Sequence, residues 1–280
     1  DFQDNIENAD RCLSYGEKNA FSLVLFMYEC LSRKPDLIIL DDPISSFDRN
    51  KKFAIIEMLF LRDESFRGKL VLMMTHDFEP IIDIIKTLSN KFNGVAAASF
   101  LMVAAGQIKE IQIERNDILS FTEVCKQNVF THRADVIKLI YLRRYYENIS
   151  EKELEYQILS NLFKKRSTPE IKDSTGSRIM TQDEMIIGTK NIQMWMPDFN
   201  YTAILGKISD NQGIVDLYKS ASSNYEKLQL FRIINTENHE NDVVRKYINE
   251  TFHIENEYSV QLNPFKYDFV PQYIVDECNK

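Results

Sequence analysis

Leu13-Ser-Tyr-Gly-Glu17, an apolar helical pattern up to Arg33, and then Asp36-Leu-Ile-Ile-Leu-Asp-Asp-Pro-Ile-Ser-Ser-Phe-Asp48 form the stretch that decides how this chain is read. Ser14 has Glu17 three residues later, which is capping-box spacing. The helix it opens is expected over Lys18–Arg33, with Phe21, Leu25, Tyr28 and Leu31 buried and Pro35 as its stop. Asp36–Leu40 reads as a strand apolar on both faces, as a central parallel strand would be. Carboxylates at the carboxyl end of such a strand, Asp41 and Asp42, stand where open α/β sheets bind their ligands. A small-residue turn that opens a helix offers backbone N–H groups and a positive dipole end to an anion.

The pattern continues outward. Arg49–Leu61 is amphipathic, with Phe53, Ile56, Met58, Leu59 and Phe60 available for packing. Lys69–Met74 is a second apolar strand. Asp77 is a candidate cap for a helix to about Ser89 with Pro80 in its first turn. Strand–helix–strand–helix order implies parallel crossovers and an α/β class. Ser99–Ala104 and Ile108–Ile113 read as a hairpin turning at Gly106.

These motifs together resemble the second half of an ABC-type ATPase head, as in SMC proteins and in the PrrC/RloC anticodon-nuclease group, over roughly residues 10 to 120. The resemblance implies several roles. Leu13–Glu17 would be the signature motif, with Ser14, Gly16 and Glu17 facing the γ-phosphate of ATP held by a second head. Leu37–Asp42 would be Walker B, Asp41 holding Mg²⁺ through water and Asp42 directing the attacking water. Many heads carry Glu at that second place; Asp42 is one methylene shorter, which lowers the expected hydrolysis rate. Ser46 and Asp48 would be D-loop residues at the head–head seam, and His76 the switch histidine. The implied cofactors are ATP and magnesium, and the implied assembly is a homodimer of heads. The chain contains no GxxxxGK[ST], so no cradle for the β- and γ-phosphates is present. Hydrolysis would require a Walker A-bearing N-terminal half or separate chain. With its first motif by residue 13, the sequence reads as one part of a longer or split protein.

Net charge of −8 argues against a generally basic nucleic-acid binder. Cys12, Cys30, Cys125 and Cys278 are scattered without a CxxC pair, which suggests a reduced, cytoplasmic protein with no cysteine metal site. No apolar run reaches membrane-spanning length.

The expected division is residues 1–118, the ATPase lobe, and 119–280, a mainly α-helical effector or partner-binding region. Helices are expected over Asp117–Asn148, with a break, and over Glu151–Lys165. Ser167–Lys190 reads as a mobile loop, Trp195–Tyr201 as an aromatic segment packing back, Gly213–Phe252 as two or three helices, and the tail from Tyr258 as irregular. The PrrC/RloC likeness implies an RNA-cutting site, with Arg143 and Glu147 matching its Arg–Glu pair; no histidine lies between Glu147 and His239, so the third member is missing or displaced. Arg232 and His239 resemble the Arg-x₄₋₆-His pattern of HEPN ribonucleases, and His253 is a third candidate. The plain alternatives are an intrahelical ion pair for Arg143–Glu147 and ordinary structural roles for the histidines. Basic clusters Lys138–Arg144 and Lys164–Arg166 are candidate contacts for RNA or DNA. Two function classes therefore stand beside the ATPase reading: an RNA-cutting enzyme, and a non-catalytic scaffold for a partner nuclease. The likeness suggests antiviral defence as the setting.

Overall fold

The computed structural model describes residues 13–104, 106–131, 134–149, 153–173, 176–235, 242–252, 260–268 and 270–280. It is a mixed α/β structure, mostly helical, with small sheets. The chain separates into two compact units: Asp1–Ser99 with Gln112–Arg115, and Phe100–Ile111 with Asn116–Lys280.

In the first unit, helix α1 runs Tyr15–Arg33 and closes on Lys34 in the left-handed region. Strand β1 (Ile38–Asp41), helix α2 (Arg49–Phe60) and strand β2 (Val71–Met74) follow. β1 and β2 pair in parallel with Ile38 opposite Val71 and Asp41 opposite Met74. A helical stretch then passes from α3 (Glu79–Ile81) through a π-helical segment (Ile82–Thr87) to α4 (Ser89–Phe92). Strand alternation sends Ile38 and Leu40 into a core with Met27, Cys30, Ile55, Ile56, Leu59 and Phe66.

Four expectations are corrected here. In α1 the buried residues are Met27 and Cys30, whereas Phe21, Leu25 and Tyr28 are about half exposed and Leu31 is intermediate. Phe53 of α2 is likewise exposed. The β1–β2 pair is covered on one face only; Ile39, Leu72 and Met74 on the other face remain exposed. Parallel sheets are ordinarily covered on both faces, so this is an open surface. Asp77 does not cap α3: Phe78 holds that position with no side-chain bond, and Asp77 is drawn instead to Lys52.

Strands β3 (Ala98–Ala104) and β4 (Gln107–Ile113) pair, and the division between the units falls within both. The second unit continues with β5 (Ile118–Ser120), α5 (Phe121–Thr131), α6 (Asp135–Asn148) and α7 (Leu154–Phe163). After them come β6 (Glu170–Asp173), β7 (Gly176–Ile179), α8 (Gln182–Gln193), α9 (Tyr201–Ser209) and α10 (Asn211–Ser220). The chain ends with α11 (Asn224–Ile234), α12 (Asp242–Phe252), β8 (Val260–Leu262) and α13 (Gln272–Cys278). The core of this unit is built on Phe121, Leu139, Tyr141, Ile158, Leu162, Tyr225 and Leu228, with Tyr141 and Tyr225 stacked at 5.7 Å.

The stretch expected as a mobile loop is instead the β6–β7 hairpin and α8. Glu170 accepts from Ser177 Oγ at 2.9 Å and pairs with Arg166, and Thr181 forms a capping box with Glu184. At Gly188 a Cβ would lie 2.5 Å from Ile158 Cδ1, so glycine lets α8 come close to α7. The tail is likewise not irregular throughout: β8 pairs antiparallel with β5, and α13 follows. Among the described residues no helix is long and apolar enough to cross a membrane.

Candidate functional site

The geometry begins with α1, which leads into β1 and whose opening turns share a cleft with that strand's carboxyl end. Ser14 caps α1, its Oγ accepting from the Glu17 N–H at 3.4 Å and donating to Glu17 Oε2 at 2.7 Å. The Ser14 N–H also donates to that carboxylate, at 2.8 Å. The Ser14 side-chain and backbone bonds hold the Glu17 carboxyl below its usual range. Gly16, in the first turn, has nothing within 4 Å of the place a Cβ would take.

β1 delivers Asp41 and Asp42 to an open cleft of about 450 Å³, which Tyr15, Asn19 and Ser22 of α1 and Ser45 and Ser46 of the following loop also line. Asp41 is exposed. Asp42 has φ of 48°, in the left-handed region where a non-glycine residue is strained by about 1 kcal/mol. Its backbone N–H donates to Met74 O at 2.7 Å, which ties the turn to the end of β2. Its side chain accepts from Thr75 Oγ1 at 3.3 Å through Oδ1, while Oδ2 lies 3.1 Å from His76 Nδ1. Thr75 Oγ1 in turn accepts the Asp77 N–H at 3.0 Å. His76 is otherwise open, its side chain 74% exposed. The arrangement is a carboxylate with a histidine and a threonine on one flank and a second, free-standing carboxylate beside it.

Two ties fix this corner. Asn19 Nδ2 donates to Ser46 Oγ at 3.0 Å, joining α1 to the loop after β1. Lys52 is buried on α2, 2.8 Å from Glu79 Oε2 and 3.0 Å from Asp77 Oδ2. The contact to Asp77 is an ion pair without hydrogen-bond alignment. Burial pulls the Lys52 ammonium down, but its hydrogen bond to Glu79 and the charge of the Asp77 carboxylate outweigh that and leave it raised. Asp48 caps α2, accepting the Lys51 N–H at 3.1 Å.

The cleft therefore gathers Asp41, Asp42 and Ser46, with His76 on Asp42. Ser14, Gly16, Glu17 and Asp48 do not line it. Sequence reasoning missed Tyr15, Asn19, Thr75 and Lys52. Tyr15, Asn19 and Ser22 follow helical spacing from the Ser14 cap and were readable as one face; Lys52 carries no local signal.

In the second unit Arg143 and Glu147 form an i,i+4 pair at 3.4 Å on α6. Arg144 is closer to the same carboxylate, at 2.6 Å. Arg143 is also held by α7, donating from Nε to Ser160 Oγ at 3.1 Å and from Nη2 to Tyr156 Oη at 3.0 Å. Burial pushes the Glu147 carboxyl up, but Arg143 and Arg144 outweigh it and hold the group below its usual range, with a further contribution from Arg232. Arg232 of α11 thus lies within the field of the Arg143–Glu147 pair, which joins two candidate sets that were separate in the sequence. His239 and His253 lie outside the described residues. No group of three or more His, Cys, Asp or Glu side chains suited to a metal occurs among the described residues. Comparison with family models, with curated proteins and with solved structures returns no match to this chain.

Proposed function

We propose that the first unit is the Walker B, signature and switch portion of an ABC-type ATP-hydrolysing head, and that it works with a Walker A-bearing partner segment to switch an effector. The observation that carries this reading is the pair Asp41–Asp42, set at the carboxyl end of a parallel strand in a cleft shared with Ser46, with His76 on Asp42. The donor set suits Mg²⁺, which keeps most of its water and takes one or two carboxylates plus phosphate oxygens; Asp41 would hold it. When bound, the ion would neutralise phosphate charge. Asp42 and His76 would orient water at the cleft. The left-handed turn at Asp42, hydrogen-bonded to the end of β2, fixes the carboxylate's aim.

Cleft residues offer ATP carboxylates and hydroxyls but no cationic cradle, so they fit one side of a nucleotide site. The open face of Ile39, Leu72 and Met74 supports the same conclusion, because a strand and helix carrying GxxxxGK[ST] would cover it. Ser14 and Gly16 would meet the nucleotide of a second head once the Ser14 hydroxyl leaves Glu17. Antiviral defence is the setting this reading favours.

The test is magnesium-dependent ATP turnover by the chain alone and after reconstitution with a Walker A-bearing polypeptide. The expected result is no turnover alone, turnover in the complex, and at least a hundredfold loss with Asp42→Asn, in the range that removal of a positioned acid–base group produces. Turnover by the complex that Asp42→Asn leaves intact refutes the assignment.

A further inference from the structure

We propose that the outer stripe of α1 is a docking surface for a second copy of this chain, two α1 helices packing antiparallel about a two-fold axis. The pairing uses Lys18, Phe21, Leu25, Tyr28 and Glu29, none of which lines the carboxylate cleft. It is separate from a head–head seam at Ser46 and Asp48, needs no nucleotide and does not rest on the ATP reading.

α1 carries two apolar stripes. Met27 and Cys30 are buried, and Ala20, Leu23 and Leu31 pack on the same core. Phe21, Leu25 and Tyr28 are about half exposed. Their spacing, four residues and then three, is that of a coiled-coil seam, and Lys18 continues it one step toward the helix start. Three large side chains in a row on one helix face make a continuous patch, not scattered exposure.

The order of residues along the seam selects the occupant. In heptad terms Lys18 and Leu25 share one core position, and Phe21 and Tyr28 share the other. An antiparallel pair sets the first kind against the second. With Phe21 against Leu25 of the second copy, Leu25 meets Phe21 and Lys18 meets Tyr28 at both ends. An ammonium over a tyrosine ring is a favourable contact. Glu29, beside Tyr28, brings a carboxylate to the same ammonium; it is exposed and engaged only along its own helix, by Arg33 at 2.7 Å. Each layer therefore finds its complement in its own sequence, which is what a two-fold interface requires. A parallel pair would set Lys18 against Lys18, so the charges also fix the direction.

The experiment is sedimentation velocity of the intact chain over a concentration series, with and without ATP and magnesium. The expected result is a monomer–dimer equilibrium that nucleotide does not alter. Leu25→Asp, at an exposed site, raises the dissociation constant at least tenfold by putting a charge into the apolar seam. Lys18→Glu and Glu29→Lys each weaken the dimer about tenfold, because each contact occurs twice. The double variant Lys18→Glu/Glu29→Lys returns to within about threefold of the parent, a rescue that misfolding does not mimic; circular-dichroism melting confirms that each variant is folded. A chain that stays monomeric throughout overturns the proposal, and so does a dimer indifferent to Leu25→Asp or a double variant no better than the singles. Association that appears only with ATP and magnesium belongs to the head–head seam and overturns it too. So does capture of a Walker A-bearing polypeptide through Leu25 without self-association, which assigns the stripe to that polypeptide.

Discussion

Gly16→Ala separates folding from nucleotide contact because the two readouts move in opposite directions. An ideal Cβ at Gly16 meets nothing within 4 Å, so the methyl creates no clash within the chain. The residue lies in the first turn of α1 and its backbone is not in the left-handed region, so alanine is conformationally at home. Replacing glycine in a helix interior gains about 0.5–1 kcal/mol, and the first turn realises less than the whole of that. Thermal unfolding of the variant is therefore expected at the parent midpoint or a few degrees above it. If phosphate approaches the N–H groups of this turn, the added methyl stands in its path. A loss of about 1.4 kcal/mol of contact corresponds to a tenfold fall in turnover by the reconstituted complex. The assay pairs circular-dichroism melting with ATP turnover on the same preparations. Turnover equal to the parent, with folding intact, refutes the placement of a phosphate at Gly16.

Two further outcomes follow from the geometry. Lys52→Met keeps the side chain's bulk but leaves Asp77 and Glu79 without their cation; with both acids partly exposed, about 1–3 kcal/mol of stability is expected to go, and an unchanged urea midpoint would contradict this. Glu184 is held down to about 2, chiefly by the Arg178 side chain and then by the Thr181 backbone, against an ordinary 4.5. A carboxyl depressed in the folded state stabilises above 4.5, and that contribution fades as pH falls toward 2. Glu184→Gln should flatten the stability profile of the second unit across that window, measured by near-ultraviolet circular dichroism; a profile as steep as the parent's would rule out this carboxylate as a contributor.

Local signals were legible where one residue type fixes one conformation. The Ser14–Glu17 capping box, the two parallel strands and the hairpin at Gly106 all read directly from spacing. The buried stripe of α1 did not, because Phe21, Leu25 and Tyr28 satisfy helical periodicity as well as Leu23, Met27 and Cys30 do. Which stripe faces the core depends on a partner surface that periodicity does not encode. Ser167–Lys190 looked like a loop because its apolar anchors, such as Ile171, Met180 and Met185, are sparse and polar pairs such as Arg166–Glu170 and Arg178–Glu184 stand between them. At the site, Asp41 and Asp42 were readable from the strand they end. The Lys52 tether was not, since its acids lie well over twenty residues away. The stacking of Tyr141 on Tyr225 and its bond to Glu226 depend on how α6 and α11 fold together, which no spacing along the chain contains.

The bond between Asn19 and Ser46 has a mechanical consequence. It ties the opening turns of the first helix to the loop behind the two acids, an exposed bond worth about 1 kcal/mol to any movement the two make together. A ligand that tugs on one end of this strut is felt at the other, and cutting it with Asn19→Ala would let the two halves of the cleft drift out of step.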